Sequence, residues 1–295
     1  MLLKLKNAGI QMELCIPDRE LGYYRGTRFD WSGIFHSIQA DGANYVEEWF
    51  DDYDPLRHDC VCGPVDEFAQ TGFEEAGIGD TFLKIGVGLL RKPDSEDYDR
   101  FRLYEIADHG TRTVENSKNS ARFRHFLLGD RYGYDYVKEI SIDGRERTVS
   151  ISCRLLNLGP ESIETSVYNH NFWTLGQKHV GPDTLIDFPF RPAGKWRAPY
   201  DCVRLTESGI RFSRILENGE TVAMDCLQPK SKYTDGYGFT LANAKNGSAV
   251  EAVCNRPMEY MKVWANHRIA CPEPYIHLRL FPGEAANWNI DYRLR

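Results

Sequence analysis

Residues 147–159 read RTVSISCRLLNLG. Val149, Ile151, Cys153 and Leu155 point one way, and Ser150, Ser152 and Arg154 the other. A period of two is the mark of a half-buried β-strand, because successive side chains leave opposite faces of a pleated backbone. The same pattern recurs at short spacing, in GIQMELCI (9–16), WSGIFHSIQ (31–39), FLKIGVGLL (82–90), VKEISI (137–142), IETSVYN (163–169), YGFTLAN (237–243), YMKVWAN (260–266) and YIHLRLF (275–281). FRLYEIA, IRFSRIL and SAVEAVC read the same way. Asp143-Gly144, Asn218-Gly219 and Asn246-Gly247 lie between such runs and supply the positive φ of tight hairpin turns. GANYVEEWFD (42–51) fits a short helix or a strand equally well. A dozen or more short strands with no long amphipathic helix predict an all-β, mostly antiparallel sandwich or barrel.

The chain has 295 residues, no Pro/Gly/Ser linker and no repeat. All-β folds of this length run as one unit, so residues 1–295 are expected to form a single domain. The net charge of −7 weighs against nucleic acid or an anionic membrane as partner. No stretch approaches 18 apolar residues, and Lys4, Lys6 and Asn7 interrupt the N-terminal apolar run where a signal peptide would be continuous. The expected location is therefore the cytoplasm.

The eight cysteines show no disulfide framework and read as small buried hydrophobes. His58-Asp59-Cys60-Val61-Cys62 offers metal-binding side chains, but no second pair stands at a zinc spacing, and Cys60 and Cys62 alternate as strand core residues do. The acidic runs DDYD (51–54) and PDSEDYDR (93–100) match no calcium-loop spacing and read as solvated loops. Asn246-Gly247-Ser248 is read as a turn before a glycosylation sequon. Dinucleotide, P-loop, nucleophile-elbow and H-E-x-x-H zinc motifs are all missing. No metal and no cofactor are expected.

Two segments carry chemistry. SVYNHNFWTLG (166–176) sets His170 between two asparagines and before Phe172 and Trp173. Cys271-Pro272-Glu273-Pro274 holds a carboxylate between prolines, which fix φ and remove backbone donors; a stiff segment outside any strand ladder is expected there. A surface glutamate in a turn is the plainer reading. These segments resemble the aldose 1-epimerase (galactose mutarotase) family. Asn169-His170-Asn171-Phe172-Trp173-Thr174-Leu175 is similar to that family's N-H-x-Y-F-N-L, and residues 256–266 (RPMEYMKVWAN) to its P-x-x-x-x-Y-T-x-N. Cys271–Pro274, Pro282-Gly283-Glu284 and Tyr292-Arg293 follow in the family's order. In the N-terminal half the likeness is looser. Pro64 replaces the arginine of a G-R-x-x-N-R-I segment, and Lys84 stands where a second histidine would be.

The resemblance implies a galactose mutarotase-like β-supersandwich and interconversion of the α and β anomers of an aldose or modified sugar, a small-molecule partner. It implies His170 as general acid, at an ordinary histidine pKa of about 6.5, and Glu273 as an already ionised general base. Both steps move protons between oxygens, so no cofactor is required. Asp235 falls near a sugar-binding aspartate of the family, although a turn aspartate before Gly236 is as good a reading. Lys84 either binds a sugar hydroxyl or anionic group, or faces outward. Trp173 and Trp264 either stack on a pyranose ring or belong to the core. Arg28 and Asp30 either reach a cleft or pair on the surface. A non-catalytic sugar-binding protein on the same scaffold and an oligosaccharide hydrolase or lyase are the alternative readings. A hydrolase would require a second well-placed carboxylate.

Overall fold

The computed structural model describes residues 1–229 and 236–295, with the side chains of 226–229 left aside. Among the described residues there is no helix; antiparallel strands build sheets of four, ten, six and three strands. Most of the period-two segments become strands, but FLKIGVGLL folds into a hairpin of Thr81–Lys84 against Gly88–Arg91, FRLYEIA enters a strand only at Ile106, and the undecided 42–51 segment contributes the short strand Ala43–Val46. No helix here is long and apolar enough to cross a membrane.

The ten-stranded sheet is centred on the opening segment. Thr148–Asn157 lies between Gly133–Asp143 and Ala285–Leu294, with Ile151 facing Ile140 on one side and Ile290 on the other. The six-stranded sheet runs, in spatial order, Pro192–Trp196, Thr221–Pro229, Tyr260–Asn266, Ala270–Leu280, Ile163–His170 and Val65–Phe68. Phe68 of this sheet meets Trp288 and Tyr136 of the larger one edge-on, with ring centroids 6.2 and 5.4 Å away, so the two sheets share one core. Large aromatic side chains fully removed from water contribute about 1.5–3 kcal/mol each to that core.

A buried ionic group also ties the sheets. Lys138, pointing inward from Gly133–Asp143, reaches Asp66 of the six-stranded sheet at 2.7 Å and Asp30 at 3.8 Å. Burial raises the Asp30 carboxyl to about 6 despite Lys138. Asp30 is therefore a core residue, neither cleft-facing nor on the surface.

Of the three expected hairpins, only Asn246-Gly247 joins paired strands through a positive-φ glycine (φ 79°). At Asn218-Gly219 the glycine does take positive φ (82°), but the turn leads from Gly209–Phe212 in the ten-stranded sheet to Thr221–Pro229 in the six-stranded one. After Asp143 it is Arg147, not Gly144, that takes positive φ. Gly144 is needed for another reason: a Cβ there would sit 2.2 Å from the carbonyl oxygen of Asn7.

Candidate active site

The site forms where two neighbouring strands of the six-stranded sheet part. Ile163–His170 pairs with Ala270–Leu280 only from Ile163↔Leu280 to Tyr168↔Tyr275. Asn169 and His170 then pair with Val65–Phe68 alone, while Pro272, Glu273 and Pro274 continue to pair with Tyr260–Asn266. This corrects the expectation that Glu273 lies outside a ladder. Residues i and i+2 of a strand present their N–H positions to the same edge. Pro272 and Pro274 therefore present their missing donors to the edge that the neighbouring strand has left, and Glu273 keeps its place in the ladder opposite Lys262.

The two asparagines build the mount for His170. Alternation sends Asn169 and Asn171 into the core and His170 the other way. The Asn169 side chain donates to Asp66. The Asn171 amide donates to Asn169 O (3.0 Å) and across the gap to Pro272 O (2.7 Å), and its oxygen accepts from Tyr292 Oη (2.9 Å). One side chain thus fastens the histidine strand to the glutamate strand beside the point where their ladder stops.

His170 Nε2 lies 3.3 Å from Glu273 Oε1, and both residues are about 95% buried. The imidazole stacks on Phe172 (3.8 Å, 9°), which stacks on Trp49 (5.1 Å, 15°), and Phe29 packs edge-on against the imidazole at 5.8 Å. These contacts fix the ring plane. Burial, reinforced by Arg28 and Arg100, holds His170 well below the ordinary histidine range. Burial likewise raises Glu273 to about 7, with Arg28 opposing and Glu67 assisting. The expectation of an ordinary histidine beside an ionised carboxylate is therefore corrected: the apolar surroundings favour a neutral imidazole and a carboxyl that titrates near neutrality.

The pair opens into a cleft of about 250 Å³, also lined by Trp49, Trp264, Arg28 and Arg100. Behind it lies Glu67, 2% exposed, which accepts from Arg28 Nε (2.7 Å) and Tyr168 Oη (2.6 Å) and has Arg100 Nε at 3.4 Å and Lys84 Nζ at 3.8 Å. Burial alone would raise this carboxyl; Arg28, Lys84 and Arg100 outweigh that and hold it at about 2.

Of the expected site residues, His170, Glu273 and Trp264 meet at the cleft, Trp264 edge-on to His170 at 5.9 Å. Lys84 does not reach it. Its ammonium is fully buried between Glu67 and the Phe68 carbonyl oxygen, and burial lowers it to about 8. Trp173 is a core residue; its Nε1 donates to Asn171 Oδ1 at 3.3 Å and its ring packs against Tyr292. Asp235 lies outside the described residues. In the H-D-C-V-C segment, Cys60 and Cys62 are buried, with Cys60 Sγ donating to Asp52 O, while His58 and Asp59 line the cleft.

Arg28, left open between cleft and surface by the sequence, lines the cleft, as do Arg100, Arg197 and Lys262, which sequence reasoning passed over. Lys262 was accessible to it: two residues before Trp264 on one strand, it shares that side chain's face.

No family model matches the sequence, and no curated protein matches it. Solved structures do. A galactose mutarotase-like protein from Clostridium acetobutylicum superposes with a TM-score of 0.60 at 12% identity, covering 100% of this chain and 95% of that one. A galactose mutarotase related enzyme from Lactobacillus acidophilus gives 0.58 at 12% identity, covering 100% and 97%. The GalM/aldose epimerase homologue from C. elegans gives 0.57 at 12% identity, covering 100% and 98%. The chain thus has the all-β fold shared by aldose 1-epimerase and galactose mutarotase-like proteins.

Proposed function

We propose that the protein is a sugar mutarotase, with His170 and Glu273 as its acid–base pair and the whole chain acting as one unit. The observation that carries this reading is the 3.3 Å approach of His170 Nε2 to Glu273 Oε1 in a small, partly apolar cleft. The two oxygens on the anomeric carbon, O1 and the ring oxygen, are close neighbours, so two closely spaced proton-handling atoms match them. In ring opening, Glu273 accepts the O1 proton while His170 donates to the ring oxygen as the C1–O5 bond breaks. The aldehyde rotates about C1–C2, and closure reverses both transfers. One proton is held by the pair throughout. At rest burial keeps that proton on Glu273; its passage across the 3.3 Å contact to His170 makes the imidazolium–carboxylate form, which ring opening returns to imidazole and carboxylic acid. Trp264 and Trp49 supply apolar surface for a pyranose face.

A cleft of about 250 Å³ suits one sugar ring better than a polymer. Glu67, the nearby buried carboxylate, is bound to three cations and is not free to act as a second hydrolytic carboxylate. Polarimetry of fresh α-anomers from a panel of aldoses tests the reading. Accelerated decay of rotation to equilibrium, without release of reducing ends from oligosaccharides, is expected. Saturable sugar binding with no acceleration for any member of the panel contradicts it.

The pH dependence follows from the shifts. The working pair carries one proton, which is lost as pH rises through about 7, where Glu273 ionises with His170 already neutral. Hence kcat/KM is expected to fall about tenfold per pH unit above that point. On the acid side it falls only well below pH 6.5, where His170 takes a second proton. A profile flat from pH 6 to 9 counts against the pair.

A further inference from the structure

The six-stranded sheet sets the cleft's charged side chains out in order across neighbouring strands. His170 is on Ile163–His170, Glu273 on the next strand, Lys262 directly opposite Glu273 on the strand after, and Asp225 on the one beyond, bonded to Arg197 at the sheet edge. Strands lie about 4.8 Å apart, so the cations occupy one side of the acid–base pair, from about one strand spacing outward. We infer that the cleft takes an aldose carrying an anionic group, a phosphate or a carboxylate, held by Lys262 while its anomeric carbon lies at His170 and Glu273. The inference rests on the mutarotase reading for where the anomeric carbon sits.

Three observations support it. The cleft wall carries four cations (Arg28, Arg100, Arg197 and Lys262) against two acids, Glu273 and Asp59, although the chain as a whole is acidic. Arg28 and Arg100 are committed to Glu67, and Arg197 to Asp225, but Lys262 forms no ion pair among the described residues. Its ammonium is held over the rings of Tyr275 and Tyr260, at 5.4 and 5.7 Å, the middle and end of a stack begun by Tyr168. That stack positions a charge that Glu273 and Asp225 feel without either forming an ion pair with it among the described residues. A neutral aldose would leave it facing hydroxyls; a phosphate or carboxylate would satisfy it with charge-assisted hydrogen bonds.

The test compares glucose with glucose 6-phosphate and glucuronate by polarimetry, in the wild-type protein and in Lys262→Gln, at low and high salt. Binding of methyl α-glucoside and its 6-phosphate, which cannot mutarotate, is measured alongside by calorimetry. At least one anionic sugar is expected to exceed glucose in kcat/KM by about tenfold or more at low salt, the scale of one hydrogen bond to a charged group. The advantage is expected to shrink in high salt and to collapse in Lys262→Gln. The phosphate and uronate arms show which anion the site takes. Equal or poorer handling of both anions, or a preference untouched by Lys262→Gln, overturns the inference while leaving mutarotation standing. Salt-sensitive, Lys262-dependent binding of the 6-phosphate glycoside with no mutarotation of any sugar upholds the anion site and overturns the mutarotase reading.

Discussion

Glu273→Gln is expected to lower kcat/KM for mutarotation by about 10²–10⁴-fold, the contribution of one well-placed general acid or base. The amide keeps the size of the side chain and removes only its ability to exchange a proton. His170→Gln is expected to cost a similar factor. The double variant should be little worse than either single one, because a pair that shares one proton fails as a unit. Loss of fold is separable from loss of chemistry here. Burial raises the folded-state Glu273 to about 7 from the ordinary 4.5, so ionising it opposes folding. Its contribution to stability is full below pH 4.5 and is lost as pH rises through 7. Glu273→Gln should therefore melt at or above the wild-type temperature at pH 8 while being inactive. An active Glu273→Gln protein, or one inactive only because it is unfolded, contradicts the assignment.

The second large effect is on stability. Glu67→Gln leaves Arg28, Lys84 and Arg100 around a neutral side chain where a carboxylate stood. Removing one partner of a buried ionic cluster costs about 3–5 kcal/mol, because the remaining charges stay desolvated without compensation. The folded-state carboxyl, at about 2, lies below its ordinary 4.5. Its contribution is therefore present above pH 4.5 and lost as pH falls toward 2. The difference in thermal or urea stability between wild type and Glu67→Gln should be largest at neutral pH and should narrow on acidification. A variant that matches wild type at pH 7 would show that Glu67 carries no such burden. Arg28 and Arg100 line the cleft from this cluster, so the variant is also expected to weaken sugar binding.

The fold was legible because alternation is a local property. Val149 to Leu155 read as one face of a strand, and they pack as one. His170 and Glu273 were legible through the segments around them, and their spatial meeting bears on the expectation directly. What alternation does not encode is which strands lie behind a given face. Lys84 read as a lysine that either meets a ligand or faces outward, and it does neither; the Glu67 that pairs with it in the interior lies 17 residues earlier, on a strand of another sheet. Trp173 stood open between ring stacking and the core, although the sequence could decide it. Counting parity onward from Asn169 and Asn171 puts Trp173 with the core set and Phe172 with His170, as the packing has it. Arg100 carried no signal at all, since it leaves an irregular acidic loop and reaches Glu67 only through the tertiary fold. The pKa of the pair was equally hidden: it depends on burial by Phe172, Phe29 and Trp49, the last two more than a hundred residues from His170.

As proposed, His170 and Glu273 together move one net proton between O1 and the ring oxygen of the sugar. Two-dimensional exchange NMR on an equilibrium mixture of α and β anomers, at pH 6.5 with catalytic amounts of protein, reads this most directly. Exchange cross-peaks between the two anomeric protons are expected with the wild-type protein and are expected to disappear with Glu273→Gln. Absence of wild-type exchange for every neutral and anionic aldose tried, or exchange that persists in Glu273→Gln, would contradict the proposed role of the pair.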